Sequence, residues 1–139
     1  KYNSIDDKVD DFFYYTTYIK YGIGRCTYDA AQEIRNGEIT REEAVALCKK
    51  YDGEFPARFA DEFFRYISID KAHFGKAADC FEQPEMDLAY FMHLADRFRS
   101  PHLWQYQDGV WSLRHTPYEG ESLCRWGAPP AELAKGGAV

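Results

Sequence analysis

The segment Lys20-Tyr21-Gly22-Ile23-Gly24-Arg25 constrains the fold more than any other part of the sequence. Helical periodicity precedes it, and two glycines one residue apart allow the backbone to end a helix and turn sharply. A second helical segment ends near Gly37, and a third begins after Thr40. The sequence therefore predicts short helices that are joined by tight corners.

Two cations flank the first of these corners. A helix that ends here leaves backbone carbonyl groups without intrahelical partners, and Lys20 and Arg25 lie beside the turn. This arrangement suits an anionic ligand. It equally suits an ordinary corner between two helices, because charged residues are common near helix ends. The residues alone leave both interpretations open.

The first helix is predicted to be apolar on two faces. Its start is acidic, from Asp6 to Asp11, which the helix dipole favours. One apolar stripe comprises Val9, Phe12, Phe13, Thr16 and Ile19, and a second comprises Tyr14, Tyr18 and Tyr21. A helix that is apolar on two faces is usually buried on both. Either one face packs against something outside this chain, or the helix lies centrally among the others.

The second and third helices have recognisable end signals. Thr27 is predicted to cap a short helix that runs through Asn36 and ends at Gly37. Thr40 opens the next helix in a capping box with Glu43, so only the two residues between them remain available for another role. The apolar positions of this third helix are Ala44, Leu47, Cys48 and Tyr51, and its stop signal is Gly53.

Prolines and an aspartate punctuate the rest of the helical region. Pro56, Asp70 and Pro84 are predicted to open helices, and Pro101 follows the last one. The side chains predicted to face the core are Phe59, Phe63 and Tyr66 or Ile67 in the first of these helices, Phe74, Ala77, Ala78 and Phe81 in the second, and Leu88, Phe91, Met92, Ala95 and Phe98 in the third.

The apolar period changes from the helical value to two at Leu103. Asp108-Gly109 is a strong signal for a two-residue hairpin turn. The side chains predicted to share one face of this hairpin are Trp104, Tyr106, Trp111 and Leu113. Because an isolated hairpin is only marginally stable, this face is expected to pack on the helices.

These patterns predict a mainly α fold. We expect about five or six helices followed by a C-terminal β-hairpin, all within residues 1–115. The remaining residues, 116–139, lose periodicity and read as an irregular tail. Aromatic residues make up 17% of the chain, which is enough for a substantial core in a domain of this size.

Charge and composition argue against several classes of protein. The net charge of −6 argues against nucleic acid as the main partner, because phosphate backbones normally require a basic surface. No apolar run approaches the 20 or so residues of a membrane-spanning helix. We therefore expect no nucleic-acid partner and no membrane span.

Neither a metal site nor a catalytic constellation is predicted. The cysteines, Cys26, Cys48, Cys80 and Cys124, form no Cys-x-x-Cys pair and are expected to be free thiols. The histidines, His73, His93, His102 and His115, lie on different predicted elements. Asp61 and Glu62 are interpreted as solvated charges rather than catalytic carboxylates. No phosphate loop or nucleophile elbow is present, so we expect no catalytic residue in the isolated chain.

Several segments resemble a known enzyme family. They are Tyr18 to Arg25, Asp29-Ala30-Ala31, Ile34 to Gly37, Thr40 to Ala44, Lys50-Tyr51-Asp52, Phe98 to Pro101, Leu103-Trp104 and Gly109-Val110-Trp111. In this order they look similar to the C-terminal part of the N-acetyl sugar amidotransferases, which are ATP-dependent enzymes of the phosphate-loop pyrophosphatase type in bacterial surface-sugar biosynthesis. The likeness extends from about Asp6 to His115.

The resemblance implies a role within a larger enzyme. Members of that family carry an N-terminal α/β domain with a Ser-Gly-Gly-x-Asp-Ser phosphate loop, which this sequence lacks. The implied reaction converts a sugar's N-acetyl group to an acetamidino group with ATP and Mg²⁺. The implied partners are the missing N-terminal catalytic domain, a glutaminase that supplies ammonia, and a nucleotide-linked or acidic N-acetyl sugar. The implied location is the cytoplasm.

The resemblance also implies which residues contact the ligand. Lys20 and Arg25 match the family's basic positions best, so we expect them to bind ATP phosphates or a sugar anion, with Arg35 or Arg41 assisting. The resemblance gives no role to Cys26. Two other interpretations stay open: a stand-alone helical protein-protein interaction module, and the C-terminal domain of another ATP-dependent ligase or sulfur-transfer enzyme.

Overall fold

The computed structural model describes residue 2 and residues 5–116, and within them the fold is mainly α-helical. The elements are α1 (Asp10–Tyr21), α2 (Arg25–Asn36), α3 (Arg41–Tyr51), α4 (Ala60–Ile67), α5 (Lys71–Phe74), α6 (Leu88–Arg97), β1 (Trp104–Gln107) and β2 (Val110–Leu113). The predicted fold class, a helical domain with a C-terminal hairpin, is confirmed. The predicted tail from residue 116 onward lies, apart from Thr116, outside the described residues.

Helix α1 contributes to the main core through one side only. Phe12, Tyr15 and Ile19 are buried against α4 and α6, and the Phe12 ring stacks on the Phe63 ring at a centroid distance of 3.8 Å. Burying an aromatic side chain of this kind stabilises the fold by roughly 1.5–3 kcal/mol. The 3- and 4-residue spacing of these side chains places them on one helical face.

The predicted stripes of α1 are therefore partly wrong. Val9, Phe13 and Thr16 are exposed, and the buried stripe is rotated toward Tyr15. The rotation is favourable because α1 also contacts the hairpin, whose Trp104 ring packs edge-on against Tyr18 at 5.6 Å. Helix α1 thus lies between the main core and the hairpin, as in the central-helix interpretation, but its third side faces solvent.

Helices α2 and α3 pack against each other around a second, smaller cluster. Its buried members are Cys26, Ala30, Ala44 and Cys48. The predicted capping box is confirmed: Thr40 Oγ1 accepts a hydrogen bond from the Glu43 N–H, and the Glu43 carboxylate accepts one from the Thr40 N–H. Gly37 ends α2 with a φ of 76°, also as predicted.

The predicted start of α2 is wrong. The helix begins at Arg25 and not after Thr27, and Gly24 occupies the N-cap position. The side chain of Asp52, which directly follows α3, accepts the hydrogen bonds that a local cap would have accepted. No residue near the start of α2 in the sequence indicates this contact. Thr27 lies instead inside the first turn of the helix.

Three aromatic side chains that were predicted to face the core are exposed: Phe74, Phe81 and Phe98. Of the alternatives Tyr66 and Ile67, Ile67 packs against the main core and Tyr66 is exposed. Gly75, with a φ of 54°, ends α5 after one turn, and a 3₁₀ helix (Gly75–Cys80) follows, so the helical period through this segment is lost. Ala77 is likewise exposed, although Ala78 is buried. In the preceding helix, Phe64 is the buried side chain and a 3₁₀ turn (Ala57–Phe59) comes first.

The last helix begins later than predicted. Asp87, not Pro84, caps α6 by accepting a hydrogen bond from the Tyr90 N–H.

The hairpin forms as predicted, but Tyr106, which was expected to pack on the helices with the rest of its face, is exposed. Strands β1 and β2 pair antiparallel, with Trp104 opposite Leu113, and Asp108 and Gly109 both adopt positive φ in the turn. Asp70 caps α5, also as predicted. No helix among the described residues is long and apolar enough to cross a membrane.

Candidate functional site at the corner between α1 and α2

The corner after α1 is fixed by contacts with the hairpin. Gly22 adopts a left-handed conformation with a φ of 75°, and its N–H donates to the Tyr18 carbonyl at 2.8 Å. The Trp104 indole N–H donates to the Ile19 carbonyl at 2.8 Å. Two of the carbonyls that the helix end would leave without partners are therefore satisfied within the fold.

The other side of the corner is held by Asp52, which follows α3. Its buried carboxylate accepts hydrogen bonds from the N–H groups of Gly24 at 3.3 Å, Cys26 at 2.9 Å and Thr27 at 3.2 Å, and from the Thr27 hydroxyl at 2.5 Å. These are the free N–H groups of the first turn of α2, where an anion is favoured. The chain supplies that anion itself, so an external phosphate does not have access to these donors.

Gly24 is required by this contact and not by its backbone angles. Its φ of −103° is available to any residue, but a Cβ atom here would collide with the Asp52 carboxylate. The close approach lets the carboxylate reach three N–H groups of the first turn of α2 at once. Burial raises the pKa of Asp52, and the hydrogen bonds from Thr27, Cys26 and Gly24 oppose that rise.

Arg25 is oriented by two partners on α1 and α2. Its Nε donates to Asp29 Oδ2 at 2.6 Å, and its Nη1 donates to the Tyr14 hydroxyl at 2.6 Å. The guanidinium carbon lies 5.0 Å from the centroid of the Tyr14 ring. The Asp29 hydrogen bond raises the pKa of Arg25, so the charge is permanent. The side chain is still 34% exposed, which leaves part of the guanidinium open to a ligand.

A ligand can approach this guanidinium only from outside. On its inner side the corner encloses a polar cavity of about 10 Å³, lined by Asp11, Tyr15, Asp52 and Glu54 together with Arg25 itself. This volume corresponds to about one water molecule. The lining is acidic, so a phosphate is excluded there by both size and charge.

The four predicted ligand-binding cations do not form one cluster. Lys20 is exposed in the last turn of α1, with its Nζ 5.2 Å from the Tyr21 ring centroid. Arg35 is exposed in the last turn of α2, and Arg41 is the exposed first residue of α3. Ten residues of helix separate Arg25 from Arg35, which corresponds to about 15 Å. Lys20, in the last turn of α1, and Arg25 thus lie at the start of α2. Arg35 and Arg41, the first residue of α3, lie at its end.

The described residues contain no group of three or more side chains that could hold a metal ion. The corner can therefore contribute charge, orientation and hydrogen bonds. The Asp52 carboxylate is enclosed by its own donors and is therefore not available for general acid-base chemistry.

Comparison with known protein families shows which family this domain belongs to. The model of the family described as "LPS biosynthesis protein WbpG-like, C-terminal domain" matches residues 1–117. The chain belongs to this family. Comparison with curated proteins finds no match. The WbpG-like domain match covers all the described helices and the hairpin, and it places the chain in lipopolysaccharide biosynthesis.

Sequence reasoning missed the residues that hold the corner. Asp29 follows Arg25 by four residues in α2, a spacing at which opposite charges interact, so this partner could have been found. Asp52 lies 28 residues from Gly24 and carries no local signal of its contact. Tyr14 was taken for an apolar stripe residue, yet its hydroxyl bonds Arg25.

Arg99 is the other charged residue with an unforeseen position. Its side chain is 1% exposed, and its guanidinium carbon lies 4.4 Å and 5.4 Å from the rings of Trp104 and Trp111. Its Nε donates to Asp96 at 3.2 Å, while its buried Nη1 has no hydrogen-bond acceptor within the described residues. This guanidinium connects the end of α6 to the hairpin that closes the corner.

Proposed function

We propose that this WbpG-like domain is the C-terminal part of an ATP-dependent N-acetyl sugar amidotransferase of lipopolysaccharide biosynthesis. The family match over residues 1–117 supports the pathway, and the resemblance to the amidotransferases supports the reaction. In this proposal, the N-terminal catalytic domain with its phosphate loop binds ATP together with Mg²⁺. A glutaminase partner supplies the ammonia. The reaction takes place in the cytoplasm.

The proposed reaction requires one ATP for each acetamidino group. The acetyl carbonyl oxygen attacks the α-phosphorus of ATP, which releases pyrophosphate. Ammonia then adds to the activated carbon, and AMP leaves with the former acetyl oxygen. The products are the acetamidino sugar, AMP and pyrophosphate. Negative charge accumulates at the phosphates during the first step, and fixed cations stabilise such charge.

The single observation that supports a role for the corner is the preorganisation of Arg25. Asp29 and Tyr14 fix its guanidinium. The hydrogen bonds that Asp52 accepts from the first turn of α2, here called the Asp52 clamp, fix the backbone that carries it. A cation that is already oriented loses little entropy when it contacts an anion. Lys20 is an exposed residue in the last turn of α1, two residues before Gly22, and supplies a second positive charge there.

Arg35 and Arg41 contribute at the other end of α2. Because about 15 Å of helix separates the two pairs, one phosphate group contacts only one pair. We assign the ATP phosphate or sugar anion to Lys20 and Arg25. Arg35 and Arg41 assist by contacting a different part of the nucleotide-linked or acidic sugar.

An isotope experiment on the intact enzyme tests the reaction. An N-acetyl sugar nucleotide carrying ¹⁸O in the acetyl carbonyl is incubated with ATP, Mg²⁺ and ammonium, and AMP is analysed by mass spectrometry. The proposal expects the label in AMP and the loss of oxygen from the sugar. Release of unlabelled AMP without an acetamidino product, or ATP cleavage to ADP, would rule out this reaction.

A further inference from the structure

Two cysteines face each other where α2 packs on α3. Cys26 lies in the first turn of α2 and Cys48 in the last turn of α3, and their residues are 0% and 5% exposed. They are the only cysteines of this buried cluster in the described part of the chain, and the exposed Cys80 lies elsewhere. Both thiols belong to the buried cluster between the two helices, and the nearness of Cys48 raises the pKa of Cys26.

The thiol pair adjoins the clamp that holds the corner. The Thr27 hydroxyl lies 3.7 Å from Cys48 Sγ and 2.5 Å from the Asp52 carboxylate. The Cys26 N–H donates to the same carboxylate at 2.9 Å. A covalent change at the thiols therefore acts directly on the residues that position the first turn of α2.

Cys48 and Cys26 line different cavities: Cys48 lines a groove, whereas Cys26 lines the polar cavity of about 10 Å³ inside the corner. A groove of about 160 Å³ runs between α2 and α3, and its lining includes Cys48, Thr27, Ala30 and Arg41 but not Cys26. A groove of this size admits a small oxidant and is smaller than the 300 Å³ or so of an ordinary ligand pocket. Arg41, at the start of α3, contributes a cation to its lining.

We propose that Cys26 and Cys48 form a reversible dithiol-disulfide pair that is oxidised by a small hydroperoxide such as hydrogen peroxide. Cys48 Sγ attacks one peroxide oxygen, the O–O bond breaks, and Cys48 becomes a sulfenic acid as water leaves. Cys26 Sγ then attacks the sulfenic sulfur, a second water leaves, and the S–S bond forms. Two thiols and one peroxide thus give one disulfide and two waters, with two electrons transferred to the peroxide.

The order of the two steps follows from the environment of each thiol. Contact with Cys48 and burial raise the pKa of Cys26, so its thiol stays protonated and unreactive until a neighbouring sulfur becomes electrophilic. Cys48 reaches the groove and reacts first. The disulfide then connects the start of α2 to the end of α3 and fixes the Asp52 clamp covalently, which makes the corner responsive to oxidative conditions.

The test uses the full chain with Cys80→Ser and Cys124→Ser, so that only the buried pair can react. After treatment with hydrogen peroxide, the intact mass should fall by two hydrogen atoms, and proteolysis should yield a peptide that links Cys26 to Cys48. Dithiothreitol should reverse both changes. Amide hydrogen exchange at Gly24 and Cys26 should slow on oxidation.

Two matched variants separate the steps in the same background. In Cys26→Ala, dimedone should trap a sulfenic acid on Cys48. In Cys48→Ala, oxidation of Cys26 should be at least about tenfold slower than in the parent chain. Folding of each variant is checked by circular dichroism. Separate oxidation of the two sulfurs without a linked peptide, or equal rates of Cys26 oxidation with and without Cys48, would overturn the proposal.

Discussion

Asp52 shows how a single side chain can convert an apparent ligand site into a structural joint. The free N–H groups at the start of α2 would suit a phosphate, but the Asp52 carboxylate occupies them. In the proposed function, the groups that remain for an anion at this corner are the outer edge of the Arg25 guanidinium and Lys20. Of the two interpretations that the sequence left open, the structure shows the helix corner, and the anion site is a proposal for its outer side.

Replacing Asp52 with Asn should destabilise the domain. The amide has one oxygen where the carboxylate has two, and its NH₂ group faces backbone donors, so at least one buried N–H loses its acceptor. We expect the free energy of unfolding to fall by about 1–3 kcal/mol near neutral pH. Urea denaturation followed by circular dichroism measures this loss, and an unchanged midpoint would contradict the clamp.

The contribution of Asp52 should also depend on pH. Its folded pKa is raised above the ordinary value of 3.8, so the folded state binds a proton more tightly than the unfolded state does. The part of the stability that comes from this tighter proton binding is fully present below pH 3.8 and is lost as the pH rises through the folded pKa, whereas the hydrogen bonds to the carboxylate remain near neutral pH. The stability difference between the wild type and Asp52→Asn should therefore decrease as the pH rises from below 3.8, and a difference that grows with pH would contradict the raised pKa.

Arg99 allows charge and packing to be separated at one buried position. Its guanidinium packs against Trp104 and Trp111 with Nη1 lacking an acceptor in the described residues. An apolar side chain of similar length avoids that unsatisfied donor, whereas a small one leaves a cavity. We expect Arg99→Met to change the free energy of unfolding by less than about 1.5 kcal/mol and Arg99→Ala to cost about 2–5 kcal/mol. Equal losses in the two variants would show that the charge itself is essential.

At the scale of helices and strands, local chemistry predicts what local contacts determine. The capping box at Thr40 and the hairpin turn at Asp108-Gly109 form as predicted, because each depends on residues within four positions. The start of α2 is different. It depends on Asp52, which is distant in sequence, so the predicted cap at Thr27 is wrong. Phe74 and Phe81 were misplaced for a different, local reason, since Gly75 interrupts the helix that would have aligned them.

The capping box should account for measurable stability of α3. Thr40→Ala removes the oxygen that accepts the Glu43 N–H, and we expect a loss of about 0.5–2 kcal/mol. The hydrogen bonds from Thr40 lower the pKa of Glu43, so the box stabilises the fold above pH 4.5 and the effect is lost as the pH falls through the lowered pKa.

A threonine outside the box provides the control. Thr16→Ala, on the exposed side of α1, should leave the free energy of unfolding within about 0.5 kcal/mol of the wild type. Chemical denaturation of both variants at neutral and acidic pH gives the comparison. A Thr40→Ala loss that is no larger than the control, or one that persists undiminished at acidic pH, would contradict the account.

For the whole molecule, the proposed function gives this domain a contributing role in a larger enzyme. Within the described residues no backbone loop cradles a triphosphate, and the donors at the start of α2 are already bonded to Asp52. We therefore expect the isolated chain to bind ATP only weakly. Titration calorimetry should detect no sub-micromolar site, with or without Mg²⁺. A sub-micromolar dissociation constant would contradict the proposed division of labour.

Family membership and the fold could be anticipated from the sequence, while the state of the candidate site could not. Lys20 and Arg25 were placed correctly beside a helix corner. What the sequence did not reveal was that Asp52 closes one side of the corner and that Asp29 and Tyr14 orient Arg25 on the other. These contacts join three different elements, and only the assembled fold brings them together.

The most direct test of the proposed role is a paired measurement on Arg25→Gln in the intact enzyme. The melting temperature reports the loss of the contacts to Asp29 and Tyr14, and turnover with ATP, ammonium and the N-acetyl sugar reports the loss of the anion contact. Arg58→Gln, an exposed arginine outside the corner, is the matched control. We expect the folded Arg25→Gln enzyme to turn over about a hundredfold more slowly or worse, with a modest change in melting temperature. A folded variant with near-normal turnover would contradict the account and leave the corner a structural joint.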